Sequence, residues 1–459
     1  MTQSVITRQI VVAGGVFAPG HLGELTRVIP FEMVDAVLAG CGCAQRRVRK
    51  LPARVVVYLL LAAALFEPAG YLAVWRKLTS ALEGAGAVPV TGGALWQART
   101  RLGPAPLRAL FDLLRGSSAA PRTSGAWWHG LLVCAIDGTT LDVPDTAGHR
   151  ARLGKKDNQY ATAGYPQIRL VALVACGTRA IIDAVFGPTA DGEPAYLTRL
   201  LRSLRRGMIV LLDRGLSSNA LLASITTAHA DFLARLSAAR KPPVLRQLPD
   251  GSFLSVLGGT TVRIIECQIT IATTAGTRTG TYRLATTLLD HRRHRAFELV
   301  KLYHQRWEIE SAYFEIKKTM LGRRVLRART LPGITQEIYA LLTVYQALRI
   351  AITDTTLTAP GTDPDRASFT IALHAARDQV IQAANVLAGE TIDLAGTIGR
   401  RILASLLPAR RVRASPRIVK RAISKYQARG PDIDRASYKA TTAIDILAPP
   451  DPLPAAISA

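Results

Sequence analysis

Residues 193–237 read EPAYLTRLLRSLRRGMIVLLDRGLSSNALLASITTAHADFLARLS and alternate between two kinds of apolar pattern. Apolar residues recur at helical spacing in EPAYLTRLLRSLRR and again in SSNALLASITTAH, a helix that Ser217 or Ser218 would cap. Short apolar runs typical of buried strands occur in GMIVLLDRG and DFLARLS. This alternation of helices and strands predicts an α/β domain.

Three further strands are predicted upstream of this stretch. They lie in the β-branched and apolar runs of GLLVCAIDGTTLDV and QIRLVALVACGTRAIIDAVFG, the second of which contains two strands joined at residues 176–178. The resulting order, β-β-β-α-β-α-β, is that of a ribonuclease-H-like mixed sheet flanked by helices. Between residues 240 and 287, segments rich in Thr, Val and Gly predict an antiparallel β insertion. We therefore expect this domain to occupy residues 127–355.

The chain on either side of this domain has a different composition. Residues 1–120 show helical spacing broken at Gly and Pro, and their last two helices carry Arg99 and Arg101 among other basic side chains. We expect a helical N-terminal DNA-binding domain here, although a helix bundle with a basic surface explains the pattern equally well. Residues 116–126 have the composition of a linker.

The C-terminal region, residues 356–459, begins with a second linker-like segment, TLTAPGTDPDR, and continues with a helical segment. Residues 409–429 then contain eight basic and no acidic side chains. Such a block is typical of a mobile tail that binds phosphate groups without sequence preference. The prediction is therefore a helical segment followed by a basic, partly disordered tail.

The net charge restricts the classes of partner. The chain of 459 residues carries a net charge of +25, which favours polyanions, nucleic acid before an anionic membrane surface. The longest apolar run, residues 55–66, is shorter than the ~20 residues that span a bilayer. The N-terminus lacks the pattern of a signal peptide, and the five scattered cysteines suit a reducing compartment. We expect a cytoplasmic, nucleoid-associated protein without a membrane partner.

Two aspartates mark the ends of predicted strands. Asp137 ends or interrupts the first strand in IDGT, and Asp213 closes the fourth in LLDRG. Either residue alone is more typical of a turn than of a catalytic site. In the ribonuclease-H-like order the first and fourth strands are neighbours, so both carboxylates would approach one point.

A third acid comes from YHQRWEIESAYFEIKK, residues 303–318, which reads as one helix. At the helical period, four polar residues fall within an arc of about 60°: Tyr303, Arg306, Glu310 and Lys317. An apolar stripe beside them would pack against the sheet: Leu302, Ile309, Tyr313, Ile316 and Met320. For most helices of mixed charge, a solvated face with a surface ion pair is the simpler interpretation.

The chemistry of this set points to phosphodiester cleavage. Three converging carboxylates need positive charge, which hard divalent cations such as Mg²⁺ or Mn²⁺ supply. Two such ions ~4 Å apart activate water and stabilise a leaving oxygen. Arg306 and Lys317 could then hold the backbone of a DNA strand, and Tyr303 could donate to a phosphate or stack on a base.

The spacing Tyr303-x2-Arg306-x3-Glu310-x6-Lys317 resembles the signature of DDE transposases of the insertion-sequence-4 family. Asp-Gly-Thr at 137–139 and Asp-Arg-Gly at 213–215 resemble the first two acidic regions of that family. A β insertion before the glutamate also fits, and the likeness extends over most of residues 1–350.

The resemblance implies an enzyme that cleaves the ends of its own insertion sequence and joins the 3′-hydroxyl ends to target DNA. It also implies a metal-binding triad, which consists of Asp137, Asp213 and Glu310. It implies contacts to the DNA strand near the cleaved end from three side chains: Tyr303, Arg306 and Lys317. The implied partners are double-stranded DNA, as terminal inverted repeats and as target, and a second copy of the chain in a homodimeric synaptic complex.

Some alternatives stay open at this point. Three other acids compete for the triad, with Asp183 the strongest competitor: Asp142, Asp145 and Asp183. Hairpin-forming relatives have a tryptophan in the β insertion, where this chain has none, so that Phe253 or Tyr282 would have to replace it. An inactive or domesticated repressor of element ends, or a structure-selective nuclease, are the alternative functions.

Overall fold

The computed structural model describes residues 9–12, 16–19, 21–44, 49–80, 89–155, 157–158, 161–162, 164–383, 396–408, 413–414 and 438–448. The predicted basic tail, residues 409–429, lies outside the described residues except for residues 413–414.

The helices are of ordinary length apart from one long central helix. They are α1 (Phe31–Gly40), α2 (Ala53–Leu65), α3 (Tyr71–Thr79), α4 (Gly92–Leu102), α5 (Ala105–Leu114), α6 (Ala147–Leu153), α7 (Glu193–Leu200), α8 (Asn219–Thr227), α9 (Ala296–Tyr303), α10 (Trp307–Phe314), α11 (Leu331–Leu357), α12 (Phe369–Ala383) and α13 (Thr397–Leu403). Within the ranges given above, no helix combines the length and the apolar composition that crossing a bilayer requires.

The strands form one large sheet and two small hairpins. They are β1 (Gln9–Val12), β2 (Val16–Pro19), β3 (Trp127–Trp128), β4 (Leu131–Asp142), β5 (Asp157–Asn158), β6 (Ala161–Thr162), β7 (Gln167–Ala175), β8 (Ile181–Pro188), β9 (Met208–Leu212), β10 (Asp231–Arg235), β11 (Arg246–Gln247), β12 (Phe253–Leu257), β13 (Thr260–Thr273), β14 (Gly276–Thr286), β15 (Arg413–Ala414) and β16 (Tyr438–Ile446).

The centre of the large sheet has the order β8-β7-β4-β9-β10. β4, β9 and β10 are parallel, whereas β7 and β8 run antiparallel to their neighbours. This is the ribonuclease-H-like order that the sequence predicts, and the mixed sheet flanked by helices is confirmed. Beyond β10 the sheet continues through β14, β13, β12 and β11 in antiparallel pairs, where the insertion was expected, and β16 adds to β13.

Strand β4 shows how both faces of the sheet are covered. Alternate residues such as Cys134 and Ile136 enter the core beneath α7 and α8, while Val133 and Ala135 enter the core beneath α10 and α11. A strand buried on both faces has a nearly continuous apolar sequence, which is what LLVCAI supplies. From Asp137 to Thr140 the strand is polar and half-buried, before Leu141 returns to the core.

The N-terminal helices share a core with the large sheet and α11. Twelve of the thirteen residues of α2 are buried, and both α2 and α5 pack along α11. The segment expected to be a linker also lies against this body. The Gly116 N–H donates to the Ile181 carbonyl at 2.9 Å, and the Thr178 hydroxyl donates to the Ser117 carbonyl at 2.6 Å. The small residues of residues 116–126 therefore allow close packing here.

The helix predicted over residues 303–318 is interrupted. α9 ends at Tyr303, His304–Arg306 form a 3-10 turn, α10 follows, and Glu315–Met320 form a π-helical turn. The apolar stripe is confirmed, since Leu302, Ile309, Tyr313, Ile316 and Met320 are all buried. The changes of helix type rotate the polar residues away from the single line that a regular helix would give.

Candidate active site

The two aspartates lie at the same edge of the sheet. In the parallel pair of β4 and β9, Ile136 is opposite Leu212. The residues that come next are Asp137, within β4, and Asp213, directly after β9. Both side chains are half-buried. Because the residues that precede them alternate into the same core, both aspartates lie on the face of the sheet that α10 covers. The neighbouring strands expected from the sequence are observed, although Asp137 lies within β4 and only Asp213 directly follows its strand.

The carboxylate of Asp137 is in an environment that opposes its charge. Burial raises its pKa to about 6, against a hydrogen bond from the Gly138 N–H at 2.8 Å and the attraction of Arg306. The neighbouring acids Glu193 and Glu310 raise the pKa further. A carboxylate with this pKa is under-compensated in the protein alone, which is the condition expected of a ligand for a cation.

Glu310 projects from the first turn of α10, where the positive end of the helix favours an acid. Its Oε1 accepts a hydrogen bond from Nη2 of Arg306 at 3.2 Å. Partial burial raises the pKa of Glu310, Arg306 lowers it, and Asp213 raises it. The three acids are therefore electrostatically linked, since Glu310 acts on Asp137 and Asp213 acts on Glu310.

Tyr303 and Arg306 lie deeper than a surface signature would suggest. Tyr303 is 8% exposed, and its hydroxyl donates to the Leu212 carbonyl, directly before Asp213, at 3.1 Å. Arg306 is 7% exposed and lies among the three acids. A solvated face is therefore the wrong interpretation for Tyr303 and Arg306, which are packed against the end of β9. Glu310, which pairs with Arg306, is 43% exposed.

Lys317 reaches the strand that carries Asp137. Its Nζ donates to the Thr139 hydroxyl at 3.0 Å, two residues beyond Asp137 on β4. The signature residues thus contact two neighbouring strands, Tyr303 at the end of β9 and Lys317 within β4. Glu310 lies between these contacts in the chain.

The two arginines predicted to bind DNA from α4 differ in position. Arg101 is exposed. Arg99 is 9% exposed, and its guanidinium stacks on the ring of Tyr71 at 3.5 Å from the ring centroid. The position of Arg99 does not support the predicted DNA contact. The two arginines differ because of the helical period, which turns Arg99 towards Tyr71 and the α11 residue Glu337 while Arg101 faces outwards.

The competing acids have other partners. Asp183 is completely buried, and although burial raises its pKa, hydrogen bonds from Arg202 and Ser203 hold that pKa below the usual value. Asp142 accepts from Gln167 Nε2 at 2.7 Å, and Asp145 is held at the surface by neighbouring basic side chains. Each of the three is engaged away from Glu310.

Glu193 was not predicted from the sequence. Glu193 begins α7. A Cβ added at Gly138 would lie 2.6 Å from Glu193 Oε1, so the lack of a side chain at Gly138 allows Glu193 to approach β4. Glu193 also accepts from Arg169 at 2.7 Å. Fifty-six positions separate Glu193 from Asp137, and the packing of α7 against the sheet brings them together. The Asp-Gly pair at 137–138 was the single available signal, and it reads equally well as a turn.

The donor set fits a hard divalent cation by its chemistry, because all three acids offer carboxylate oxygens. In the described part of the chain, however, no three acidic, histidine or cysteine side chains are grouped closely enough to hold an ion. Arg306 instead provides positive charge at Glu310. A metal ion would therefore compete with Arg306 for this carboxylate.

The candidates for the missing tryptophan of the β insertion are unequal. Phe253 is 1% exposed and belongs to the core beneath α8. Tyr282 is half-buried, with the Arg235 guanidinium 4.2 Å from the centroid of its ring. Of the two, only Tyr282 has a ring at the surface.

Two protein-family models match the chain. The Insertion element 4 transposase N-terminal model matches residues 19–112, and the Transposase DDE domain model matches residues 128–347. Together they match more than half of the chain. Asp137, Asp213 and Glu310 all lie within the second match.

Individual relatives agree with the family models. Transposase InsG for insertion sequence element IS4 of Escherichia coli (strain K12) is 27% identical over 404 residues, which are 86% of this chain and 91% of the relative. The putative transposase InsZ of the same strain is 30% identical over 199 residues, 43% of this chain and 65% of the relative. A piggyBac transposase synaptic complex with hairpin DNA covers 84% of both chains with a TM-score of 0.42 and 12% identity, a likeness too weak to carry an argument. The chain belongs to the insertion-sequence-4 family of DDE transposases.

Proposed function

We propose that this transposase cleaves the ends of its own insertion sequence and joins the freed 3′-hydroxyl ends to target DNA, with Asp137, Asp213 and Glu310 as the metal-binding carboxylates. The observation that carries the proposal is the adjacency of β4 and β9, which places two aspartates side by side beneath the helix of Glu310. A protein that only occupied DNA would gain nothing from carboxylates near a phosphate, so this arrangement disfavours the repressor alternative.

Two divalent cations, Mg²⁺ or Mn²⁺, would supply activation of the attacking hydroxyl or water and stabilisation of the leaving oxygen. The three carboxylates would hold them. The raised pKa values of Asp137 and Glu310 support this assignment, since burial beside other acids leaves a demand for positive charge.

The basic residues of the signature would bind the DNA strand. Arg306 is fixed between Tyr303 and Glu310, so its guanidinium is oriented before any substrate arrives. When a metal ion takes over the charge of Glu310, Arg306 would be free to donate to a phosphate of the strand being cut. Lys317, beside Thr139, would neutralise a further phosphate along β4. Tyr303 would act by holding the end of β9 through Leu212.

The partners would be the terminal inverted repeats, the target DNA and a second copy of the chain. The net charge of +25 supports binding to DNA duplexes on both sides of the reaction. Pairing two element ends requires two active sites, which a homodimer in a synaptic complex would supply. The reaction would take place in the cytoplasm, on nucleoid DNA.

The experiment that tests the proposal uses the purified full chain and a donor fragment carrying the DNA that flanks its coding region. With Mg²⁺ we expect cleavage at the repeats followed by strand transfer. Glu310→Gln should abolish cleavage while binding to the ends persists in a gel-shift assay, because the amide keeps the shape but loses the charge. Asp142→Asn, on the same strand as Asp137 but held by Gln167, is the matched control and should cleave normally.

The possible outcomes separate the functions. Strand transfer supports the transposase reaction, cleavage without joining supports a nuclease, and a metal-independent shift without cutting supports a repressor. Normal cleavage by Glu310→Gln would remove Glu310 from the triad.

A further inference from the structure

The hydroxyl of Tyr313 contacts the backbone of both β4 and β7 at the residue pair that contains Asp137. β4 and β7 are antiparallel, with Asp137 directly opposite Ala172. The Ala172 N–H donates to the Tyr313 hydroxyl at 3.0 Å, and this hydroxyl donates to the Asp137 carbonyl at 2.6 Å. In a regular ladder, paired residues exchange their hydrogen bonds between backbone groups alone. Here a side chain of α10 joins the two strands at the pair that contains Asp137.

This contact differs from ordinary packing. Tyr313 is 7% exposed and belongs to the apolar stripe of α10, where an isoleucine or phenylalanine would fill space as well. Its hydroxyl is completely engaged, because it accepts one hydrogen bond and donates another. The position thus uses a phenol where burial alone requires only a hydrophobic side chain.

The contact links the two elements that carry the acids. Tyr313 is three residues after Glu310, one turn along α10, and it touches the backbone of Asp137 itself. This hydroxyl group therefore bridges α10 and β4 directly at Asp137. Lys317 and Thr139 make a second link two residues further along the strand.

We infer that Tyr313 is a positioning residue of the active site: its hydroxyl sets the distance and angle between Glu310 on α10 and Asp137 on β4. The inference rests on the proposed function, since it assumes that these two acids act together on one site. Tyr313 acts through the backbone of Asp137 and has no contact with substrate in this scheme.

Removal of the hydroxyl has a defined consequence. In Tyr313→Phe, the Ala172 N–H and the Asp137 carbonyl lose their shared partner. The direct link between α10 and the backbone of Asp137 is then lost, so Asp137 can shift relative to Glu310. Metal ligation tolerates little displacement, and loss of an outer partner of a metal ligand typically costs about 10-fold to 100-fold in metal affinity or activity.

The experiment compares Tyr313→Phe with Tyr58→Phe in the full chain. Tyr58 is the matched control, because its buried hydroxyl also donates to a backbone carbonyl, that of Ile29 at 2.7 Å, but lies in the N-terminal helices. Three quantities are measured: deuterium uptake of residues 167–175 without metal, the Mn²⁺ concentration that half-saturates thermal stabilisation, and the rate of donor cleavage.

For Tyr313→Phe we expect faster deuterium uptake in residues 167–175, with the Mn²⁺ midpoint and the cleavage rate each impaired about 10-fold to 100-fold. Tyr58→Phe should match the wild type in all three. A Tyr313→Phe protein with the Mn²⁺ midpoint and cleavage rate of Tyr58→Phe overturns the inference, whatever its stability.

Two further measurements keep the result decisive. Asp137→Asn should lose both cleavage and Mn²⁺ stabilisation; if it keeps both, the proposed function fails and not the role of Tyr313 alone. If Tyr313→Phe does not fold, the wild type decides. Mn²⁺ should slow deuterium uptake in residues 167–175 and 307–314 together, and slowing confined to residues 307–314 overturns the inference.

Discussion

The guanidinium of Arg306 balances the charge of the candidate site in the protein alone. Burial lowers the pKa of Arg306, but Tyr303 and the three acids raise it more, so the side chain stays charged. It donates to Glu310 and attracts Asp137. A cation in this position lets three acids approach one another during folding, before any metal ion is bound.

The buried side chain of His21, in the N-terminal region, makes the free energy of unfolding depend on pH. His21 is 3% exposed, its Nδ1 accepts from the Gly23 N–H at 3.4 Å, and burial lowers its pKa to about 4. A histidine whose pKa is lower in the folded chain takes up its proton first in the unfolded chain. Protonation of His21 therefore does not affect the free energy of unfolding above the unfolded pKa of about 6.5. As the pH drops from there towards 4, that free energy falls by on the order of 3 kcal/mol.

The measurement is the free energy of unfolding by urea at pH 7 and pH 4.5, for the wild type and for His21→Gln. The glutamine variant cannot take up this proton, so its stability should fall less between the two pH values. Equal pH dependence of the two proteins would show that His21 is protonated, or solvated, in the folded chain.

The helix that carries Glu310 is held from behind by a buried ionic network. Arg179, in the turn between β7 and β8, donates to Glu308 at 2.7 Å and to Glu315 at 3.0 Å, and also pairs with Asp365. Glu308 and Glu315 belong to α10 and to the π-helical turn after it, so the network spans the segment of Glu310 on its far side. It also ties down the second segment that was expected to be a linker.

At the scale of this element, we predict that Arg179→Met destabilises the fold by about 3–5 kcal/mol, because buried acids lose their cation. Arg401→Met is the control, since Arg401 pairs with Asp378 at the surface and an exposed pair contributes about 1 kcal/mol or less. Thermal and urea unfolding of both variants measure the difference. Comparable losses in the two would mean that the network at Arg179 contributes no more than a surface pair.

The whole molecule is a strongly basic body, and the position of each arginine decides whether it serves the fold or the DNA. Binding to DNA releases counterions, so the logarithm of the affinity falls with the logarithm of the salt concentration in proportion to the phosphates contacted. Arg99 and Arg101 lie two residues apart on α4, the first stacked on Tyr71 and the second exposed. They form a matched pair for separating the two roles.

We predict that Arg101→Ala leaves stability nearly unchanged and lowers the salt slope of DNA binding by about one phosphate contact. Arg99→Ala should leave the slope unchanged and lower the unfolding temperature, because it removes the guanidinium from the Tyr71 ring. Affinities for the donor fragment across a salt series, with thermal unfolding of both variants, measure these effects. A reduced slope for Arg99→Ala with unchanged stability would restore Arg99 as a DNA contact.

The sequence by itself determined the order of strands and helices, the two aspartates that follow apolar strand residues and the spacing from Tyr303 to Lys317, because period and spacing are local properties of the chain. Only the tertiary structure decided that Tyr303 and Arg306 are buried, that Arg99 stacks on Tyr71, and that the helix after Tyr303 changes type. The approach of Glu193 to Gly138, and the contacts of Tyr313 with the β4–β7 pair, join residues 55 and more positions apart. Such contacts depend on how elements pack, and no periodicity within one element records which residues of another it will meet.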